Sequence, residues 1–527
     1  MELLDYSHSA FSLATPATAI LLAIITRKVL LSLGIGIIVG SLLLTGYNPL
    51  NSITYIIRIF VEVFWKDGLN ENNFFILLFL LLLGVITSLI SLSGGARAFG
   101  EWARHRVKSR QGAQLIIVAL GLLIFIDDYF NSLAVGSIGR PLTDRYRISR
   151  AKLAYLIDST AAPVCVIAPL SSWGAYIIAL IGPIMITHGV YDVSAMEAFL
   201  TMIPMNFYAV FALAMVAATA FLDLNVGAMR AHEERAYYGE LYDPAKGVPP
   251  GAIQLNDNRD GQVSDLAAPL IILVFATLGS LIWTGAMELD INGTPFSLLG
   301  AFAHTDVPRS LVYGATIGLV LSVWRMIGRN IKTGLWYQAI LEGVKSMLPA
   351  IYVLIFAWVL TEVINNVETG KYLASLIKDT ISTSYLPMIL FVVSGAMSFA
   401  TGTSWGAFGI MLPIAGDMAA VTDITMLIPM LSAVLAGAVF GDHCSPISDT
   451  TILSSTGASC HHIDHVITQL PYAFAIAGVS IFGYFIMGLT DSTAGGLIAA
   501  LIAFFVVVVV FRKLSKDSFV SVSTDIS

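Results

Sequence analysis

Five aspartates, Asp127, Asp128, Asp158, Asp442 and Asp449, fall within long apolar stretches with no Lys or Arg close by in the same stretch. A carboxylate at the centre of a membrane helix costs about 2.5–3.5 kcal/mol on insertion scales. Such a group stays buried only if it is protonated or neutralised by a cation. Sodium takes oxygen ligands, and a proton competes for the same carboxylate, so these residues have the chemistry of coupled ion exchange. Neutral oxygens stand beside them. Asn131 and Ser132 follow Asp127-Asp128, Ser171 and Ser172 follow Pro169, and Thr401, Thr403 and Ser404 surround Gly402. Ser445, Ser448 and Thr450 lie between and beside Asp442 and Asp449, the densest group of oxygen ligands in the chain. The candidate ion or substrate site is therefore Asp127, Asp128, Asn131, Asp158, Ser171, Ser172, Thr401, Thr403, Ser404, Asp442, Ser445, Ser448, Asp449 and Thr450.

Each choice has a plainer alternative. Adjacent Asp127 and Asp128 cannot share a helix face; at a hairpin tip one can point to the site and the other to solvent or a helix N-terminus, and the alternative to ion binding is capping of the hairpin's second half-helix. Asp158 can serve as an internal hydrogen-bond acceptor, and the Thr401–Gly406 run as a tight turn. Trp173 and Trp405 either line a substrate pocket or pack in the core. His443, Cys444, Cys460, His461, His462 and His465 match no structural zinc spacing, so no transition metal and no other cofactor is expected. The His461–His465 group reads as a polar turn at a cytoplasmic helix end, with pH sensing as the alternative.

The whole chain says what must hold these groups. Of 527 residues, 57% are hydrophobic and 12% charged, with a mean hydropathy of +0.81. Soluble proteins carry about 25% charged residues. Too few charges exist here to cover a water-soluble globule, and disorder, a collagen-like fibre and a disulfide scaffold are excluded with it. The fold class is an all-α polytopic membrane protein, its main partner the lipid bilayer. The net charge of −7 includes no basic run suited to nucleic acid, and the start, MELLDYSHSAFS, lacks the basic region of a cleavable signal peptide. No nucleophile–base pair or phosphate loop supports an enzyme.

Single crossings are read near 9–26, 29–45, 73–93, 198–222, 266–285, 309–326, 347–364, 466–488 and 494–511, with 52–64 as an interfacial helix. Four apolar stretches do not read as simple spans: 111–139, 151–187, 386–416 and 424–459. The basic loops 97–110 and 140–152 flank the first and both belong in the cytoplasm, so 111–139 enters and leaves on one side as a re-entrant hairpin. The stretch 386–416 reads as a second hairpin from the outside. The middles of 151–187 and 424–459 are polar and carry proline, which predicts two discontinuous helices. Loop 325–345 and the tail after 511 are basic, which places the C-terminus in the cytoplasm.

The order of elements then repeats. A first unit covers 1–223, a cytoplasmic linker 224–265, a second unit 266–488, and a last helix and tail 489–527. Each unit crosses five times, about eleven crossings in all, so the second is inverted relative to the first. APLSS at 168–172 is similar to SPISD at 445–449. Paired broken helices in inverted halves are the mark of a secondary transporter with its site at midplane. The linker, with Pro249, Pro250 and an NDNRDG run, reads as a flexible connector.

The runs FIDDYFNSL, AAPVCVIAPLSSWGA, GTSWGAFGIMLPIA and GDHCSPISDTTILSSTGASCHHIDHVITQLPYA together resemble the NhaC family of sodium/proton antiporters, over roughly 16–510. The resemblance implies two inverted repeats, a site at the hairpin tips and broken helices, a homodimer, and an elevator motion in the inner membrane. It leaves two activities open, sodium/proton antiport and sodium-coupled transport of an amino acid or small organic acid. Trp173, Tyr176 and Trp405 permit the second.

Overall fold

The computed structural model describes residues 3–26, 28–66, 68–95, 98–99, 101–102, 107–125, 127–169, 171–251, 261–327, 333–369, 371–372 and 383–524. Arg97, Arg104, Arg106, most of the 256–261 run and the side chain of Ser172 lie outside the described residues. The first half runs through α1 (Ala14–Thr26), α2 (Val29–Leu44), α3 (Pro49–Glu62), α4 (Glu71–Ser93), α5 (Arg110–Leu123), α6 (Asp128–Arg145), α7 (Arg150–Cys165), α8 (Ser172–Thr187), α9 (Ala195–Met202) and α10 (Phe207–Leu222). The linker carries α11 (Ala228–Tyr237). The second half runs through α12 (Val263–Ile291), α13 (Leu298–Ala303), α14 (Val307–Ile327), α15 (Thr333–Asn366), α16 (Leu386–Thr401), α17 (Ser404–Thr422), α18 (Leu427–Cys444), α19 (Asp449–Gly457) and α20 (His462–Thr490). Helix α21 (Thr493–Thr524) closes the chain.

Helices dominate because lipid offers no partner to a free N–H or C=O. Among the described residues seven helices are long and apolar enough to cross a membrane, or eight with one bent pair counted as a span. That pair, Ala195–Met205 with Phe207–Leu222, bends by 51° inside the stretch 198–222 that the sequence reads as one crossing. The bend falls at Asn206, whose side chain caps α10 through the Ala209 N–H at 3.1 Å. Helix α3, which the sequence reads as interfacial, packs one face against the protein. Ser52, Tyr55 and Ile59 are buried while Leu50, Ile53, Ile57 and Val61 are exposed.

Helices α4, α12, α14 and α15 pack together as an outer group, through small residues. A Cβ on Gly84 of α4 would sit 2.5 Å from the Gly343 carbonyl oxygen of α15, and Ser88 donates to Ala339 O at 2.6 Å. The inner group is built from the four interrupted stretches. Helices α5 and α6 fold back on each other: a Cβ on Gly139 would lie 2.6 Å from Ile117. Helix α7 then runs parallel to α5, with Thr160 against Gly121. The second half follows the same local plan. Gly437 and Gly441 of α18 step along Phe391 and Gly395 of α16, and Ser445 donates to Phe399 O at 2.7 Å. Helices α16 and α18 are therefore parallel, and α17 between them runs back.

Helix α20 lies antiparallel along both α18 and α19. It meets Ser432 at Tyr484, Phe440 at Phe474, His443 at Gln469 and Ser455 at His462. Helices α18 and α19 therefore sit end to end, interrupted at 445–448. The pair α9–α10 tracks α7 and α8 the same way, with Lys152 at Leu224 and Gly182 at Ala195. The two interrupted helices cross antiparallel, Arg150 meeting Ala458 and Asp158 meeting Ser454.

The linker differs from the flexible connector read from the sequence. Glu233 of α11 is buried and accepts from the Arg110 guanidinium and, at 2.8 Å, from the Ser149 N–H. Lys246 pairs with Asp464 at the head of α20. Arg140 of α6 is buried and donates to Gly251 O, whose own N–H donates to Ser346 O at 2.9 Å. The described parts of the linker thus fasten helices from both halves.

Candidate functional site

The four interruptions meet. At each one a helix N-terminus is freed, and all four of those termini begin at a candidate residue: Asp128 for α6, Ser172 for α8, Ser404 for α17 and Asp449 for α19. Asp442 sits in the last turn of α18. Its Oδ2 accepts from the Ser404 N–H at 3.2 Å and the Ser404 hydroxyl at 2.8 Å, and its Oδ1 accepts from Ser448 at 2.5 Å. Ser448 also bonds Thr450 at 2.8 Å and caps α19 through the Thr451 N–H. Asp449 Oδ2 accepts from the Tyr129 hydroxyl of α6, which ties the first hairpin tip to the second broken helix. Asp128 Oδ1 accepts from Trp173 Nε1 of α8 at 3.0 Å. Trp173 packs edge-on against Trp405 of α17 at 5.7 Å, and Tyr176 lies 4.4 Å from Trp405. Every interrupted stretch thus contributes a side chain.

The carboxylates are near-fully buried: Asp127 is 5% exposed, Asp128 2% and Asp442 1%. Asp128 feels the charge of Asp127, Asp449 and Asp442 together. The partial positive charge at helix N-termini supports these anions in the absence of a cation. Among the described residues, the second oxygen of Asp128 and the side-chain oxygen of Asn131 are buried without a hydrogen-bond partner. A buried acceptor left open in this way is costly unless a ligand meets it. Among the described residues no three His, Cys, Asp or Glu side chains converge as a metal-binding group. An ion here would draw on carboxylates singly, completed by hydroxyls and by carbonyls freed at the breaks. That arrangement suits a hard, weakly held monovalent cation.

Other candidates are differently placed. Asn131 donates to Gly121 O at 2.7 Å and Ile124 O at 2.8 Å, so its amide nitrogen stitches the first hairpin tip. Ser132 meets Ser454 of α19 at 3.0 Å. Ser171 caps α8 through the Gly174 N–H at 2.8 Å and donates to Cys165 O at 2.6 Å. Thr401 bonds back to Met397 O at 2.9 Å, and Ser445 is spent on Phe399 O. Thr403 is half-buried beside Ser404 at the α17 N-cap. Asp158 stands apart from the carboxylate group. Its oxygens accept from Ser454 at 2.9 Å, Gln469 at 2.6 Å and His465 at 3.2 Å.

Sequence reasoning missed Tyr129, His465 and Gln469. Tyr129 follows Asp128 directly, and its hydroxyl beside two acids was a usable signal. His465 was assigned to a polar interfacial turn, yet it is fully buried against Asp158. Its partner is 307 residues away, and nothing local marks the pair.

Over residues 164–489 the chain matches the family described as the Na+/H+ antiporter family. It is 46% identical to an uncharacterised protein of Haemophilus influenzae over 514 residues, 97% of each chain. A second protein of that organism, named an uncharacterised Na(+)/H(+) antiporter, is 34% identical over 25% of this chain and 29% of its own. The malate-2H(+)/Na(+)-lactate antiporter of Bacillus subtilis is 33% identical over 33% of this chain and 38% of its own.

Proposed function

This chain belongs to the Na+/H+ antiporter family, and we propose that it exchanges sodium for protons as a secondary active transporter. The observation that carries the reading is the gathering of Asp128, Asp442 and Asp449 with Ser404, Ser448 and Thr450 at the helix interruptions. Sodium is held by one or two of these carboxylates and the hydroxyls between them. Asp127 adds negative charge at the same place. The carboxylates, emptied of sodium, take up protons or lose their charge advantage, and the core returns. The antiparallel broken helices and the like-built hairpins support an inverted repeat, whose two equivalent packings give alternating access. The separate outer group of helices suits a fixed scaffold beside a moving elevator core, with a homodimer, an inner-membrane setting and a cytoplasmic C-terminus as further parts of the proposal.

The test is proton movement in proteoliposomes containing the purified protein. A sodium gradient is imposed without organic solute, and an internal dye reports pH. A prompt pH change that tracks sodium supports the reading. Folded protein that moves no protons sinks it. The aromatic wall of Trp173, Tyr176 and Trp405 beside Asp128 favours one second reading, sodium-coupled transport of an amino acid or small organic acid. Under that reading the silent vesicles respond once the solute is supplied, and the solute tightens sodium binding by the same factor that sodium tightens solute binding.

A further inference from the structure

Resting on the antiport reading, we propose that the proton is carried by a separate buried pair, Asp158 and His465, rather than only by the carboxylates that hold sodium. Asp158 lies on α7 and is 1% exposed; His465 lies on α20 and is fully buried. His465 Nε2 meets Asp158 Oδ2 at 3.2 Å. In the neutral tautomer that donates from Nε2, Nδ1 carries a lone pair, and among the described residues this buried nitrogen has no hydrogen-bond partner. Adding a proton there makes an imidazolium against a carboxylate, a paired buried charge rather than a lone one. Gln469 and Ser454 hold the carboxylate toward the ring by donating to it at 2.6 and 2.9 Å.

The pair is connected to the sodium-side carboxylates without touching them. Ser454, which donates to Asp158, also meets Ser132 of α6, one turn from Asp128. On the other side, α7 offers a polar chain. His443 Nε2 meets Ser159 at 3.1 Å, and Tyr155 lies beside both around a shared cavity. A cavity of about 10 Å³ lies among Tyr155, Ser159, Tyr208, His443 and Tyr472, the size of one water molecule. Tyr472 and Lys152 both donate to Leu224 O, at 2.9 Å each, where the linker begins. A water in this cavity would join Ser159 to Tyr472 and so complete a polar route for a proton between the pair and the linker end of the core.

The other titratable groups that feel the charge of the pair are His443, Asp442 and Cys444 from α18, His462 from α20 and Tyr208 from α10. His443 is bonded through both ring nitrogens, to Ser159 and to Tyr208 at 2.7 Å, and keeps its charge unchanged in this scheme. The physical advantage of a second site is charge balance. When sodium leaves the carboxylate group, a proton on the pair offsets the negative charge that remains in the same core.

Two measurements separate this from competition at one site. In proteoliposomes, sodium–sodium exchange by tracer and sodium-driven proton movement by dye are recorded for the wild type, His465→Gln and His465→Asn. The expected result is a loss of proton movement of about tenfold or more, with sodium–sodium exchange kept within about twofold. Proton movement retained in both variants overturns the assignment, as does joint loss of both activities in folded protein. Wild type that moves sodium but no protons overturns the antiport reading itself. The second measurement needs no variant: the sodium affinity of the wild type is followed as pH falls. A separate, coupled proton site makes the weakening level off at low pH, because coupling between two sites is finite. A weakening that continues at tenfold per pH unit means direct competition and overturns the proposal.

Discussion

Asp442 and Ser445 lie three residues apart and both read as ion ligands in the sequence, yet the structure gives them different work. Asp442 receives three hydrogen bonds from Ser404 and Ser448, all donated by groups that a cation could replace or reorient. Ser445 is committed to the Phe399 carbonyl and ties the end of α18 to α16. Asp442→Asn is expected to weaken sodium binding by roughly tenfold or more, about 1.4 kcal/mol per decade. Ser445→Ala is expected to leave sodium affinity within about twofold while costing about 0.5–1.5 kcal/mol of stability. Calorimetric titration with sodium and thermal unfolding of the two variants separate the roles. Equal losses of sodium affinity in both would mean that Ser445 is a ligand after all.

Between elements, the decisive residues are the smallest. Gly437 and Gly441 of α18 are four apart and face α16, where a Cβ on either would come 2.1 Å from a backbone oxygen, of Phe391 and Gly395 respectively. Apolar burial supplies no drive between helices in lipid, so close backbone approach through such pairs holds them together. Gly437→Leu forces α16 and α18 apart, at an expected cost of about 3 kcal/mol or more. Gly279→Leu on α12 meets nothing within 4 Å and is expected to be neutral or slightly stabilising. Thermal melting in detergent compares them, and equal midpoints would remove this account of the α16–α18 contact. Here the limit of sequence reading is physical. The breaks were legible because Pro169, Gly402 and Pro446 stand among hydroxyls and acids, which a continuous apolar helix does not tolerate. The glycines passed unread, since whether a helical glycine faces a neighbour or lipid depends on a rotation that only packing sets. Asp158 was picked out by its charge, but its partners come from α19 and α20 and left no local trace.

At the scale of the whole molecule, the linker joins the two halves by more than chain connectivity. Its polar composition reads as a connector because Glu233 looks solvent-seeking until Arg110 and the Ser149 N–H are brought to it by the fold. Two histidines sit in this docked region, outside the helices long and apolar enough to cross a membrane. His232 of α11 is held below its ordinary value of 6.5 first by desolvation, with the Arg235 and Lys246 charges adding to it against the opposing pull of Asp464 and Asp243. His461, whose Nε2 donates to Gly247 O at 3.2 Å, is lowered chiefly by desolvation as well. Both rings are therefore neutral when docked and bind a proton more readily once released. By linkage, docking is at full strength above about 6.5 and weakens as pH falls below it, through the lowered values of the docked form. Hydrogen exchange of residues 228–251, corrected for intrinsic rates, is expected to show less protection at pH of about 5.5 than at about 7.5. Unchanged protection across that interval would mean that the histidines do not report docking. Weaker docking frees α6, α15 and the head of α20 from one another, because Arg140, Ser346 and Asp464 are the points that the linker fastens. Acidification of the linker side should then change the rate at which the core moves as well as the occupancy of its proton site, so transport measured against internal pH should fit two titrating steps better than one.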